Sequence, residues 1–319
     1  MRSIILILIV MICFSIGNSA WNFSAQGWAS RIAFEAPIED WLDTDICTIR
    51  PDGTQLRNLT RTPDLIETLP VWSPDRTTIA FKKWPPEKWI FLMDSDGRNV
   101  RDMEGVDHEF PYDGYAWSPD GSRIISSAAW HFSLYNVHTG EKEIVWIPEE
   151  CFTRNFAWSP DGRTLAFEWE PINAPVGIMP DIAVINVDGT GFRKLTKPPD
   201  SGRYPAWSPN GRQIAFSSER NHRGGIFLMN ADGSNVRRLT DGGEERPSWS
   251  PDGQKIAFHV EREDSMFIGV MRKNGRGMKL LTEGRDPSWQ STFQHLLPVE
   301  PTAKLTTMWG YVKSVGDAR

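Results

Sequence analysis

Short apolar stretches recur along the chain, each too brief for a helix and each bounded by turn-forming residues. "RIAF" ends at Phe34, "TIAF" at Phe81, "RIIS" at Ser126, "TLAF" at Phe167, "QIAF" at Phe216 and "KIAF" at Phe258. Runs of this length with β-branched openings and flanking Gly, Pro, Asp and Asn predict strands. Five of the six follow a Trp by nine residues: Trp72, Trp117, Trp158, Trp207 and Trp249. "RIAF" has no such Trp before it, and a sixth Trp, Trp289, has no such strand after it. Successive Trp lie 45, 41, 49, 42 and 40 residues apart. A period near 40 to 45 with strand content predicts propeller blades.

Each period reads as four strands. The first ends at the Trp. A Ser-Pro-Asp-Gly type turn follows, in which Pro presets φ and Asp-Gly or Asn-Gly accepts positive φ, so the connection is a tight hairpin. The "IAF" segment is the second strand. The third resembles Ile226–Met229, "IFLM", and a second tight turn follows it, as at Asp96-Gly97, Asp188-Gly189, Asp232-Gly233 and Asn274-Gly275. The fourth ends in Leu-Thr, as at Leu195-Thr196 and Leu239-Thr240. One such sheet cannot cover both of its faces, whereas radial stacking buries them and hides most edges. The expected fold is an all-β, six-bladed propeller over residues 21–292, closed by pairing the terminal half-repeats. The Trp side chains are then filler between blades rather than a binding platform.

The two ends depart from the repeat. Residues 1–20 have one Arg, an apolar run from Ile4 to Ile16 and a small, polar close, which reads as a secretory signal peptide. An uncleaved membrane anchor is the other reading. With cleavage the chain has no transmembrane span and is periplasmic or secreted. Residues 293–319 follow no repeat and stay unassigned between a docking strand, a short helix and a sorting tag. Beyond the leader only Cys47 and Cys151 remain, in different repeats, and both are expected to be packing residues. Fifteen Trp, 23 Pro and 26 Gly fit a turn-rich β protein, and a net charge of −6 argues against a nucleic-acid partner.

Residues 28 to about 292 resemble the propeller repeats of the TolB family. "WSPDGxxIAF", "IFLMNADGSNVRRLT" (226–240) and "VINVDGTGFRKLT" (184–196) carry the likeness. The resemblance implies an exported, non-catalytic scaffold that binds a protein or peptide partner in the cell envelope. That family has an α/β domain before its propeller, and no such segment is evident between the leader and the first repeat. Similar repeats also form propellers in prolyl-oligopeptidase-type enzymes and some polysaccharide lyases.

No nucleophile elbow, zinc-binding helix, paired-Cys motif or phosphate loop occurs, so no cofactor, metal or catalytic residue is expected. The "DSDG" and "NADG" segments at Asp94–Gly97 and Asn230–Gly233 are hairpin turns in every copy rather than calcium loops. His108, His131, His222 and His259 fall on or near the variable loops, and a metal-dependent lyase would need them to converge. The tight turns barely vary. The loops at the opposite end do, as in "EWEPINAPVGIMPD" (168–181), which makes that end the working face. Four residues before each Trp stand Thr68, Asp113, Arg154, Arg203, Glu245 and Arg285. The five charged ones are the candidate binding residues, a ring at the channel mouth suited to a peptide segment or a sugar acid. A self-neutralised ring with no ligand is the plain alternative. The chain is expected to be a monomer. The alternative function is a carbohydrate-active lyase or a glycan-binding propeller.

Overall fold

The computed structural model describes residues 30–290 apart from 39–42, 63–64, 85–89, 104–105, 107–113, 129–130, 176–177 and 221–223. The proposed signal peptide and C-terminal tail, Asp113, His108 and His222 lie outside the described residues. What is described is strand and turn, with no α-helix.

The strands fall into units, each named here by its Trp. The Trp72 unit has β4 (Ile66–Trp72), β5 (Thr78–Trp84), β6 (Phe91–Asp94) and β7 (Arg101–Asp102); the Trp117 unit has β8 (Tyr115–Trp117), β9 (Arg123–Ala128), β10 (His131–Asn136) and β11 (Lys142–Trp146). The Trp158 unit follows with β12 (Cys151–Trp158), β13 (Thr164–Pro171), β14 (Asp181–Asn186) and β15 (Arg193–Lys194), and the Trp207 unit with β16 (Arg203–Trp207), β17 (Gln213–Ser218), β18 (Gly225–Asn230) and β19 (Arg237–Arg238). The Trp249 unit has β20 (Glu245–Trp249), β21 (Lys255–Arg262), β22 (Ser265–Arg272) and β23 (Lys279–Glu283). The last unit takes β24 (Arg285–Trp289) from the end of the described chain and β1 (Ile32–Pro37), β2 (Thr44–Ile49) and β3 (Arg57–Asn58) from its start. Neighbouring strands within every unit are antiparallel, and β24 pairs with β1 through Ile32 to Trp289 and Ala33 to Ser288. A single parallel pair, Thr44 to Ile66, joins this unit to the Trp72 unit.

The turns form as their residues dictate. In four Ser-Pro-Asp turns the Asp Oδ1 accepts from the Ser hydroxyl at 2.5 to 2.6 Å, from Ser73, Ser118, Ser159 and Ser250. It also accepts the N–H two residues on, at 3.0 to 3.1 Å. Gly97, in the second type of turn, has φ 88°, and a Cβ there would come 2.6 Å from the Leu59 carbonyl oxygen of the adjoining unit.

The core lies between units, not within them. Trp117 packs with Ala80 and Leu92 of the unit before it, Trp158 with Phe132 and Leu134, and Trp249 with Ala215 and Leu228. Trp289 packs with Ile268 and Val270, and Trp72 with Ala33 and Ile46. The indole Nε1 of Trp117 donates to Val71 O at 3.3 Å, and that of Trp249 to Ala206 O at 3.1 Å, each on the preceding inner strand. Cys47 and Cys151 are buried free thiols. Burial pushes each up to about 12, helped at Cys47 by Asp45 and at Cys151 by Glu149.

Candidate functional site at the channel mouth

The inner strands touch in cyclic order: β4 with β8, β8 with β12, β12 with β16, β16 with β20, β20 with β24, and β24 with β4. They surround one cavity of about 190 Å³, to which every unit contributes the residues two and three places before its Trp, and four units the residue directly before it as well. Four units place Pro two before the Trp: Pro70, Pro205, Pro247 and Pro287. The inner strand is a sheet edge, so Pro costs no ladder bond there and leaves one fewer donor along the channel.

The residue before each of these Pro is bent out of the strand. Leu69, Tyr204, Arg246 and Asp286 have φ between 51° and 55°, and Asn155 has 50°. The αR region is disfavoured before Pro, and a bulge follows in the ladder, as between Arg203 and Ala206 and between Glu245 and Ser248. The N–H of these residues therefore leaves its own sheet and bonds to the unit before it. Leu69 N donates to Glu35 Oε2 at 3.2 Å, Tyr204 N to Glu168 Oε1 at 2.7 Å, Arg246 N to Ser217 Oγ at 3.1 Å and Asp286 N to His259 Nδ1 at 3.2 Å. All four acceptors occupy the place directly after the "IAF" or "LAF" triplet. Sequence reasoning missed them. The signal was a polar residue closing an apolar run, since Glu35, Glu168, Ser217 and His259 are all buried.

These latches position a polar cluster on the cavity wall. Arg246 Nε lies 2.7 Å from Asp286 Oδ1, and the guanidinium stacks over the Tyr204 ring at 4.1 Å. Burial alone would lower the Arg246 pKa, but Asp286, Tyr204 and Glu168 outweigh it and hold the guanidinium charged. Burial raises the Glu168 carboxyl, against the N–H of Tyr204 and the Asn155 amide, which donates to it at 2.8 Å.

The sequence-predicted ring stands one place further from the Trp. Arg203, Glu245 and Arg285 open their strands, and Arg154 is the fourth residue of β12. None of these four lines the cavity; Arg246, Asp286, Tyr204 and Asn155 do. The four are engaged within their own units: Arg154 with Glu170 at 3.0 Å, Arg285 with the fully buried Glu35, and Glu245 with His259 Nε2 at 3.7 Å, while Arg203 pairs across the ladder with Ser217. The hydrogen bond from His259 lowers the Glu245 pKa. Among the described residues no three His, Cys, Asp or Glu side chains come together as a metal site.

The profile of the TolB beta propeller domain matches residues 86–292, more than half of the chain. The chain belongs to that family. Among solved structures it is similar to TolB from Acinetobacter baumannii, at 19% identity and TM-score 0.69 over 83% of this chain and 67% of that one. A structure assigned to TolB of Agrobacterium tumefaciens superposes with TM-score 0.65 at 21% identity, covering 82% of this chain and 93% of the other. An oligogalacturonate lyase in complex with manganese shares the fold at 16% identity and TM-score 0.53, over 79% of this chain and 73% of that one. Comparison with curated proteins gives no match.

Proposed function

We propose that the protein is an exported, non-catalytic six-bladed propeller, closed by the pairing of β24 with β1, that holds a segment of a protein partner at the loop-side mouth of its channel. The carrying observation is the cavity to which all six units contribute, with Pro and aromatic walls and the Tyr204–Arg246–Asp286 cluster on them. A wall of this kind offers apolar contact, one held positive charge and one carboxylate, which suits a short extended peptide. The family to which the chain belongs supports the reading, and the leader-like residues 1–20 support export to the periplasm or beyond.

The test is capture from a cell-envelope extract by the full chain, compared with an Arg203→Ala, Tyr204→Ala variant. Arg285 is left in place, because removing it would strand the buried carboxylate of Glu35 at a cost of about 3–5 kcal/mol. One protein held by the wild type and lost from a variant with an unchanged melting temperature supports the proposal. Equal capture by both contradicts it. The likeness to an oligogalacturonate lyase favours a second reading, binding or cleavage of sugar-acid chains at the same mouth. Release of unsaturated products from oligogalacturonate in the presence of manganese would establish it.

A further inference from the structure

The fourth strands carry a repeated pair of residues that the channel does not use. Three places after the turn Gly stands an apolar residue and four places after it a basic one: Leu56-Arg57, Val100-Arg101, Phe192-Arg193, Val236-Arg237 and Met278-Lys279. Their register is identical. The basic residue pairs with Thr48, Leu92, Val184, Leu228 and Val270 respectively, in each case the residue four before the Asp or Asn of the turn. Identical register in stacked repeats sets the five pairs at one height, on the rim of the tight-turn end. The Trp117 unit departs from the pattern, with Lys142 and the exposed Ile144 and Trp146 on β11.

These positions are exposed where a packing role would hide them. Leu56, Val100, Val236 and Met278 are 55%, 49%, 39% and 41% exposed; Phe192 alone packs inward. Five of the ten exposed large apolar side chains among the described residues, Leu56, Val100, Val236, Met278 and Leu280, lie on this rim, whereas Trp146, paired with His131, lies at the far end of its strand. The turn carboxylates offset the basic row only in part: Asp94 lies 3.8 Å from Arg101 and Asp96 lies 3.7 Å from Arg98, while Lys273 and Arg276 add positive charge in the turn that carries Asn274 in place of Asp. The opposite end has the other sign: Glu219, Glu245, Glu261, Glu263 and Asp264 line an open cleft of about 770 Å³.

We propose that the tight-turn end docks on an anionic lipid bilayer, with the five basic side chains at headgroup phosphates and their apolar neighbours in the interfacial layer. Alternating apolar and basic residues at one height are the chemistry of interfacial binding. Like charge turns the acidic end away from the bilayer, so the channel mouth faces the compartment. Two of the basic residues also tie adjacent units, Arg193 to Ala231 O and Asp232 O and Lys279 to Asp52 O, so the test leaves these in place.

The experiment is co-sedimentation of the full chain with phosphatidylcholine vesicles, with and without phosphatidylglycerol, at low and high salt. Binding to the neutral vesicles gives the baseline of the apolar N-terminal run. The expected result is tighter binding with phosphatidylglycerol that weakens at high salt. R57Q/R101Q/R237Q should lose at least about tenfold in affinity for the anionic vesicles alone, since each basic residue near such a surface is worth about fivefold. L56S/V100S/V236S should also weaken that binding, and it tests the rim by a route that leaves every charge intact. Equal binding to both vesicle types, or anionic binding unchanged in both variants with native melting temperatures, overturns the proposal. A duplex oligonucleotide that binds as tightly as the vesicles and displaces them overturns it in favour of nucleic acid.

Discussion

At the scale of the residue, the informative positions are those where a side chain does something its type disfavours. Glu168 is a buried carboxylate, kept there to accept from Tyr204 and Asn155. Its pKa is raised by burial, so the folded state binds the proton more tightly than the unfolded chain. Its contribution to stability is therefore greatest at low pH and is lost as pH rises from the ordinary Glu value through the raised one. Glu168→Gln keeps one acceptor oxygen for Tyr204, and melting temperatures across pH should show this loss in the wild type and not in the variant. The turn carboxylates act in the opposite sense. Hydrogen bonds overcome burial at Asp75, Asp120 and Asp252 and lower their pKa values. The stability they contribute is present above the ordinary Asp value and is lost as pH falls through the lowered ones. Cys47 and Cys151 should resist a thiol reagent at neutral pH until the protein unfolds, because burial keeps both protonated. Labelling of either in the native state would contradict their placement.

At the scale of the element, the four-strand unit was legible because its signals are local. Pro and Asp-Gly announce the turns, and "IAF" announces the second strand. What was not legible was the bend three places before five of the six Trp. It needs a positive φ at Leu, Asn, Tyr, Arg and Asp, residue types with nothing in common, and its acceptor comes from another unit about 35 residues away in sequence in two of the four cases, as with Leu69 and Glu35 and Tyr204 and Glu168. Placing the binding ring four residues before the Trp was therefore one place off the cavity wall. Two substitutions test the account of the elements. Trp249→Ala opens a cavity between two units and removes an indole hydrogen bond, and should cost about 3–5 kcal/mol in denaturant unfolding. Gly97→Ala puts a Cβ against a neighbouring carbonyl at positive φ and should cost more than about 1 kcal/mol.

At the scale of the whole molecule, the repeat has three outcomes. Its Trp residues weld each unit to the one before, which distributes the core around the ring rather than at a centre. Its inner strands surround a narrow cavity whose wall carries Pro in four units and the Tyr204–Arg246–Asp286 cluster. Its outer strands carry one chemistry five times over. In the closed ring proposed above, β24 pairs with β1 and also touches β4, where Trp72 N donates to Ser288 Oγ at 3.3 Å. A closed ring should unfold in one cooperative transition, and Trp289→Ala should lower that transition as a whole rather than release one unit first. The most direct test of the central claim, that a partner is held at the channel mouth, is a photo-crosslinking residue placed at Tyr204 and, separately, at Arg212 on the turn end. The account predicts an adduct with one envelope protein from position 204 and none from 212. Adducts from 212 alone, or equal labelling from both, would contradict it.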